Sequence, residues 1–156
     1  MSTSSASLRL SLKGSDLIPW FSRLVLFLAM AVFAVIGRKF VGDSVGTAAA
    51  SHIVLNSPLA ITDMRASFGA FPLGSAVFLL VCLLTAGRRT TGLIFVSVLI
   101  GAVLAVRLFA TVVDGTLTES LPLIAPETVL LCLSAAALVS ESRLARAGQT
   151  RGALSS

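Results

Sequence analysis

Four charged side chains lie within or beside apolar stretches of this sequence and have the clearest capacity for chemistry: Arg65, Arg107, Asp114 and Glu127. Ionisable groups inside a membrane are costly, so they pair with one another or serve a function such as binding a polar group or relaying a proton. Arginine and carboxylate side chains are well suited to bidentate pairing. We therefore expect these four residues to form one polar cluster, whose role is either structural or ligand-binding.

Glu127 determines where this cluster lies. Only 13 residues separate it from Glu141, about 20 Å of helix, which is too short to cross about 30 Å of hydrocarbon. The helix must therefore begin before Glu127 and carry it inside the membrane. Arg107 follows Arg89 by 18 residues, about 27 Å along a helix, which places it near the same boundary. We expect a direct contact between Arg107 and Glu127.

The remaining reactive residues give little support for catalysis. His52 is the only histidine and falls in a long connecting segment, so neither a multi-histidine metal site nor a Ser/His/Asp triad can be built. We expect no catalytic residue, no metal and no cofactor. Enzymatic activity is left open, with the sequence leaning against it, because a carboxylate and an arginine could still assist lipid chemistry.

The segments that carry these residues are strongly apolar. Of the 156 residues, 56% are hydrophobic and 12% are charged, and the mean hydropathy is +0.98. The net charge of +5 comes from basic residues scattered between apolar runs, unlike the clustered basic face of a nucleic-acid-binding protein. We expect an integral membrane protein whose partner is the lipid bilayer and not a nucleic acid.

Four apolar runs have the length that a membrane-spanning helix needs: about 17–37, 65–87, 91–113 and 121–141. None shows the alternation of a strand, so the sequence predicts an all-α, four-helix transmembrane bundle over 17–142. Residues 1–16 and 143–156 are predicted to be disordered tails. The segment 41–62 is predicted to be a long connection, with a short interfacial or re-entrant helix left open and a turn at Asn56-Ser57-Pro58. Because Arg38-Lys39 follows the first run directly, we expect that run to be a retained anchor and not a cleaved signal.

The distribution of basic residues predicts that both termini are cytoplasmic. The two ends and the loop between the second and third runs carry seven of them, and the opposite side carries three. The four-residue cluster would then lie in the outer half of the bundle. Small residues that let helices approach closely are expected to pack at Gly69, Gly74 and Gly101.

Several spaced polar residues together carry a family resemblance. An Arg precedes a Gly-containing helix, a second Arg lies late in the third span, an Asp-Gly turn follows, and a Glu opens the fourth span: Arg65, Gly69, Gly74, Arg107, Asp114-Gly115 and Glu127. Over about 63–140 the chain resembles the bacterial membrane family known as domain of unknown function 4345, from which Pro72 is a departure. The resemblance implies a four-helix protein of the bacterial inner membrane and no particular activity.

Two functions remain after these exclusions. The first is a non-enzymatic, multi-pass membrane protein that binds a lipid-like or small amphipathic ligand, or a partner helix, beside the Arg/carboxylate cluster. The second is a small proton-coupled transporter or exporter. The small multidrug exporters that the chain resembles in length carry an acid in their first helix, and the first run here has no carboxylate. Assembly into a homo-oligomer is left open.

Overall fold

The chain folds into helices joined by short connections. A computed structural model describes the backbone of residues 4–85 and 87–153 and the side chains of 18–85, 87–144 and 146. Within these ranges the protein is all-α, and no strand occurs. The all-α fold class expected from the four apolar runs is therefore confirmed.

The helices occupy most of the described backbone: α1 Ser4–Gly42, α2 Ser44–Ala49, α3 Pro58–Met64, a π-helical segment Arg65–Ala70, α4 Phe71–Leu84, α5 Arg89–Asp114 and α6 Leu117–Ala153. Helices α1 and α6 thus extend into the two segments predicted to be tails. The division of the chain at residues 16 and 143 remains a prediction. Residues 1–3 and 154–156 of those tails lie outside the described residues.

Four helical stretches of the described chain are long and apolar enough to cross a membrane: Ile18–Gly42, Pro58–Leu84, Arg89–Asp114 and Leu117–Leu144. Each corresponds to one of the four apolar runs. Many large apolar side chains on these helices are exposed, among them Val98, Phe109 and Val112, as expected of surfaces that face lipid. Together these features indicate a membrane protein.

The second stretch begins earlier than the sequence predicts. The predicted turn at Asn56-Ser57-Pro58 is the start of a helix, because the Ser57 side chain accepts a hydrogen bond from the Ala60 N–H and Pro58 occupies the first turn. Serine at the N-cap followed by proline is a favoured helix start. Arg65 therefore lies inside a continuous helical stretch and does not open it.

The π-helical segment ends two residues before Pro72. Proline has no N–H to donate to the carbonyl four residues earlier, and its ring crowds that carbonyl. A wider turn relieves this crowding and keeps the helix continuous. The residues of Arg65–Ala70 are thereby rotated relative to an ideal α-helix.

Residues Phe27–Ala86 form one compact unit. Within it, α1 and the π-helical segment approach closely through two glycines. A Cβ on Gly37 would lie 2.7 Å from the carbonyl oxygen of Gly69, and a Cβ on Gly69 would lie 2.7 Å from Val41 Cγ2. At Gly37 the atoms within 2.9 Å include backbone, so a side chain there would force the helices apart.

The same unit shows a contrast between two glycines of the predicted packing set. Gly69 is buried at the close approach. A Cβ on Gly74 would meet no described atom within 4 Å. Phe40 and Phe68 pack beside the glycines, with their ring centroids 5.5 Å apart.

The other unit combines the chain up to Leu26 with the chain from Gly87 onward. Its main feature is an antiparallel pair formed by α5 and α6. Gly115, with φ of 68°, ends α5, and its N–H and that of Thr116 both point to the carbonyl of Thr111. A left-handed glycine at this position is a common helix stop. The chain therefore reverses within two residues.

The α5–α6 seam includes several buried residues of each helix: Leu93, Val96, Ile100 and Leu104 on α5, and Leu130, Ser134 and Ala137 on α6. Within each helix they recur at intervals of three or four residues, the spacing of one helix face. This seam positions the polar residues described next.

Candidate functional site: the Arg107 groove

Arg107 on α5 and Glu127 on α6 form a bidentate pair. The Arg107 Nε lies 2.9 Å from Glu127 Oε2 and 3.2 Å from Oε1, and Nη2 lies 2.8 Å from Oε1. The direct contact expected from the sequence is present. Their side chains are 31% and 18% exposed, so the pair is mostly shielded, and charge-assisted bonds of this kind are among the stronger hydrogen bonds in proteins.

Helix packing deeper along the seam, on one side of the pair, keeps α5 and α6 close together. The Ser97 hydroxyl donates to the Ser134 hydroxyl at 3.0 Å, deeper along the seam. A Cβ on Gly101 would lie 3.8 Å from Leu131 Cδ1, an ordinary contact that keeps the helices close. Gly101, predicted from the sequence as a packing residue, therefore lies in the α5–α6 seam.

Arg89 and Glu141 form a second contact at the other end of the seam. Arg89 Nη1 lies 3.8 Å from Glu141 Oε1 and donates to the carbonyl oxygen of Pro19 at 3.5 Å. Glu141 Oε1 is buried and has no hydrogen-bond partner among the described residues. The sequence predicts only that Arg89 and Glu141 lie at the ends of their spans, and not that they are in contact. The contact could have been predicted from their opposite charges, because Arg89 begins α5 and Glu141 lies at the same end of the antiparallel α5–α6 pair.

The other two residues of the predicted cluster have different surroundings. Arg65 belongs to the Phe27–Ala86 unit, where its Nε donates to Ser44 Oγ at 3.2 Å. Ser44 is buried and in turn donates to the carbonyl of Phe40. Asp114 is exposed at the end of α5 and makes no hydrogen bond or ion pair with a described residue. Convergence of all four residues stays a prediction.

A groove of about 510 Å³ adjoins Arg107. One face of α5 forms its apolar wall: Ala102, Val103, Val106 and Ala110. Thr111, Thr116 and Ser120 complete the lining at the end where α5 joins α6. The small alanine side chains leave space beside α5, and Arg107 is one of the residues that line it. We call this feature the Arg107 groove.

Several hydrogen-bond donors of the Arg107 groove are unused. The pair with Glu127 occupies the Nε–H and one Nη2–H of Arg107, which leaves three of the five guanidinium N–H groups without a partner among the described residues. The hydroxyls of Thr116 and Ser120 make no hydrogen bond with a described residue, whereas the Thr111 hydroxyl donates to the Arg107 carbonyl at 2.7 Å. The groove can therefore donate hydrogen bonds to a bound molecule.

A second cavity, of about 590 Å³, lies in the Phe27–Ala86 unit. Arg38, Lys39, Asp43 and Thr47 contribute its polar lining. Asp43 Oδ1 accepts a hydrogen bond from the Gly46 N–H, and neither basic side chain forms an ion pair with a described residue. No group of three or more His, Cys, Asp or Glu side chains placed to hold a metal ion occurs among the described residues.

Together, the fold and these polar features describe an all-α protein with four helices able to cross a membrane and a charged pair within the last two. The sequence profile of the family described as "Domain of unknown function (DUF4345)" matches residues 21–138. Because the match covers more than half of the chain, the protein belongs to this family. The match includes the Arg107 groove and begins well before the segment on which the sequence resemblance was based. No curated protein and no solved structure matches the chain.

Proposed function

We propose that the protein is a multi-pass, non-enzymatic protein of the bacterial inner membrane that binds a lipid-like or small amphipathic molecule in the Arg107 groove. The observation that carries this proposal is the order of polarity along the groove. Thr116 and Ser120 lie at the α5–α6 turn, Arg107 follows, and Val106 and Val103 continue towards the middle of α5. An amphipathic molecule in a bilayer has the same order from headgroup to tail.

The unused donors at the border of the Arg107 groove support a ligand over a purely structural role. A few polar groups placed beside an apolar surface can orient a bound molecule through hydrogen bonds. Arg107 retains three N–H groups after pairing with Glu127, and Thr116 and Ser120 add two hydroxyls. A headgroup with acceptor atoms would satisfy these donors, and its tail would cover the apolar wall.

Photo-crosslinking tests the proposal. A lipid-like probe with a diazirine in its alkyl tail, added to the full-length protein in nanodiscs, should label α5 between residues 102 and 110. Val106→Trp adds bulk to the groove lining while keeping both residues of the charged pair, and it should abolish this labelling. Val98→Trp is the matched control, since Val98 is 67% exposed, Val106 is 68% exposed, and only Val106 lines the groove. Equal labelling of both variants would refute the proposal.

Proton-coupled transport is the alternative function. Its support is a carboxylate, Glu127, inside a candidate span, a position typical of proton relays. In proteoliposomes, a transporter would accumulate the probe when a proton gradient is imposed, and Glu127→Gln would abolish accumulation. We expect binding without gradient-driven accumulation. A probe that labels no residue of α5 would instead favour a partner helix or a second copy of the chain at this surface.

A further inference from the structure

We infer that the Arg107 groove selects an uncharged headgroup that accepts hydrogen bonds, such as an ester, ketone or quinone carbonyl, over a carboxylate or phosphate. This inference rests on the proposed ligand-binding function and defines its substrate class. It depends on the net charge around the groove. An unpaired arginine would make this charge positive, but Arg107 is paired with Glu127.

The positive charge of Arg107 is already compensated. Three donor–acceptor distances between 2.8 and 3.2 Å join its guanidinium to the Glu127 carboxylate. An anionic headgroup bound to the remaining N–H groups would lie on the other side of the same guanidinium, close to Glu127. Like charges placed together at low dielectric repel strongly. The pair therefore offers hydrogen bonds without offering net charge.

The residues around the α5–α6 turn add to this repulsion. Asp114 and Glu119 flank the turn, and the sequence has no Lys or Arg between Arg107 and Arg143. This end of the α5–α6 pair thus carries more carboxylates than basic groups. An anion approaching the groove would meet an unfavourable field, whereas a neutral carbonyl would not.

The unused donors fit a neutral acceptor. Arg107 has only N–H donors, and its three free N–H groups can bind a carbonyl oxygen. The Thr116 and Ser120 hydroxyls can donate to a second oxygen or accept from a headgroup hydroxyl. Since both types of group border the same apolar wall, an ester or ketone joined to an alkyl chain matches the lining along its whole length.

The second cavity of the chain provides an internal contrast. Arg38 and Lys39 there have no described ion-pair partner, and Asp43 is the only acidic residue of the lining. An anionic headgroup would be attracted to that cavity. Labelling must therefore be mapped to a peptide, so that binding at Arg38 and Lys39 is not mistaken for binding at Arg107.

A matched probe series tests the inference. Four probes share one diazirine-bearing alkyl tail and carry a methyl ester, a methyl ketone, a carboxylate or a phosphate, and they compete at a pH at which the two acids are ionised. In neutral-lipid nanodiscs, we expect the ester and ketone to label residues 102–110 with at least about tenfold higher affinity than the anions. Equal or tighter binding of the anions would overturn the inference and leave the proposed function intact. Labelling of residues 102–110 by none of the probes would overturn the proposed function itself.

Charge variants provide a second readout. Thr116→Lys adds a positive charge to the groove lining and should raise the affinity for anions relative to esters by at least about tenfold. Thr118→Lys adds the same charge to the same turn at a residue outside the lining, and its ratio should change less. Glu127→Gln should shift the ratio in the same direction as Thr116→Lys. An unchanged ratio in the folded Thr116→Lys protein would contradict charge selection.

Discussion

The hydroxyls of Ser97 and Ser134 lie 3.0 Å apart in the middle of the α5–α6 seam. Ser134 is fully buried and donates onward to the carbonyl of Leu131 at 3.0 Å, so its hydroxyl both accepts and donates. The two Arg–Glu contacts lie on opposite sides of this bond along the seam. A slide of one helix past the other would break all three contacts together. Polar pairs thus determine which residues of the two helices face each other.

The serine bond should make a small but measurable contribution to stability. Ser97→Ala and Ser134→Ala should each lower the free energy of unfolding by about 0.6 kcal/mol, the average for hydrogen bonds between helices in a membrane. The double variant should lose little more than either single variant, because one shared bond is removed. Unfolding in mixed micelles measures these values. Ser140→Ala is the control, since the bond that Ser140 makes among the described residues is to the Ala136 carbonyl of its own helix.

The Arg107–Glu127 pair should contribute more than the serine bond. Arg107→Met or Glu127→Gln alone should destabilise the protein by about 1.5–3 kcal/mol, because each leaves a charged partner without its hydrogen bonds. The double variant should recover part of this loss. Glu119→Gln, a change at an exposed carboxylate of the same helix, is the control. Additive losses in the double variant would show that the two side chains do not interact.

The glycines of the Phe27–Ala86 unit should differ sharply when replaced by alanine. Gly37→Ala places a methyl group 2.7 Å from the Gly69 carbonyl oxygen and 2.9 Å from the Leu73 nitrogen. Both are backbone atoms, so the helices must separate, and we expect a loss of about 1–3 kcal/mol.

Gly74→Ala is the matched control for Gly37→Ala, because its methyl group meets no described atom within 4 Å. It should be neutral or stabilising by up to about 1 kcal/mol, since alanine favours a helix. Thermal unfolding in detergent compares the two variants. A large loss for Gly74→Ala would instead indicate that another chain packs there.

The predicted orientation of the chain can be tested by labelling single cysteines. In a background without the two native free thiols, Cys82 and Cys132, cysteines are introduced at Ser4, His52, Thr116 and Ser155. An impermeant maleimide added to intact cells should label only the substitutions at 52 and 116, because the excess of basic residues keeps the other segments in the cytoplasm. Labelling at 155 would contradict an even number of spans with cytoplasmic ends.

The features that follow from simple length constraints could be predicted from the sequence. A bilayer needs about 20 apolar residues per span, so the apolar runs revealed the four helices. The same constraint placed Glu127 inside its helix and opposite Arg107. Both conclusions depend on the length of a helix, which follows directly from the number of residues in it.

The features that depend on a local choice between two structures could not be predicted. Asn56-Ser57-Pro58 suits a turn as well as a helix start, since serine and proline are common in both. The contact of Arg65 with Ser44 depends on the position of the short helix α2, which begins at Ser44. The spacing of apolar residues in the sequence does not predict that position. The Arg107 groove results from the arrangement of small residues such as Ala102 and Ala110 around one guanidinium.

The two-residue reversal at Gly115 and Thr116 has a consequence for biosynthesis. Glu127 follows Arg107 by 20 residues, so α5 is complete before its partner carboxylate has been translated. An arginine without its counter-ion partitions poorly into lipid. We therefore expect α5 to stay in the insertion channel until α6 emerges, and the two helices to enter the bilayer together as a hairpin that is already neutralised.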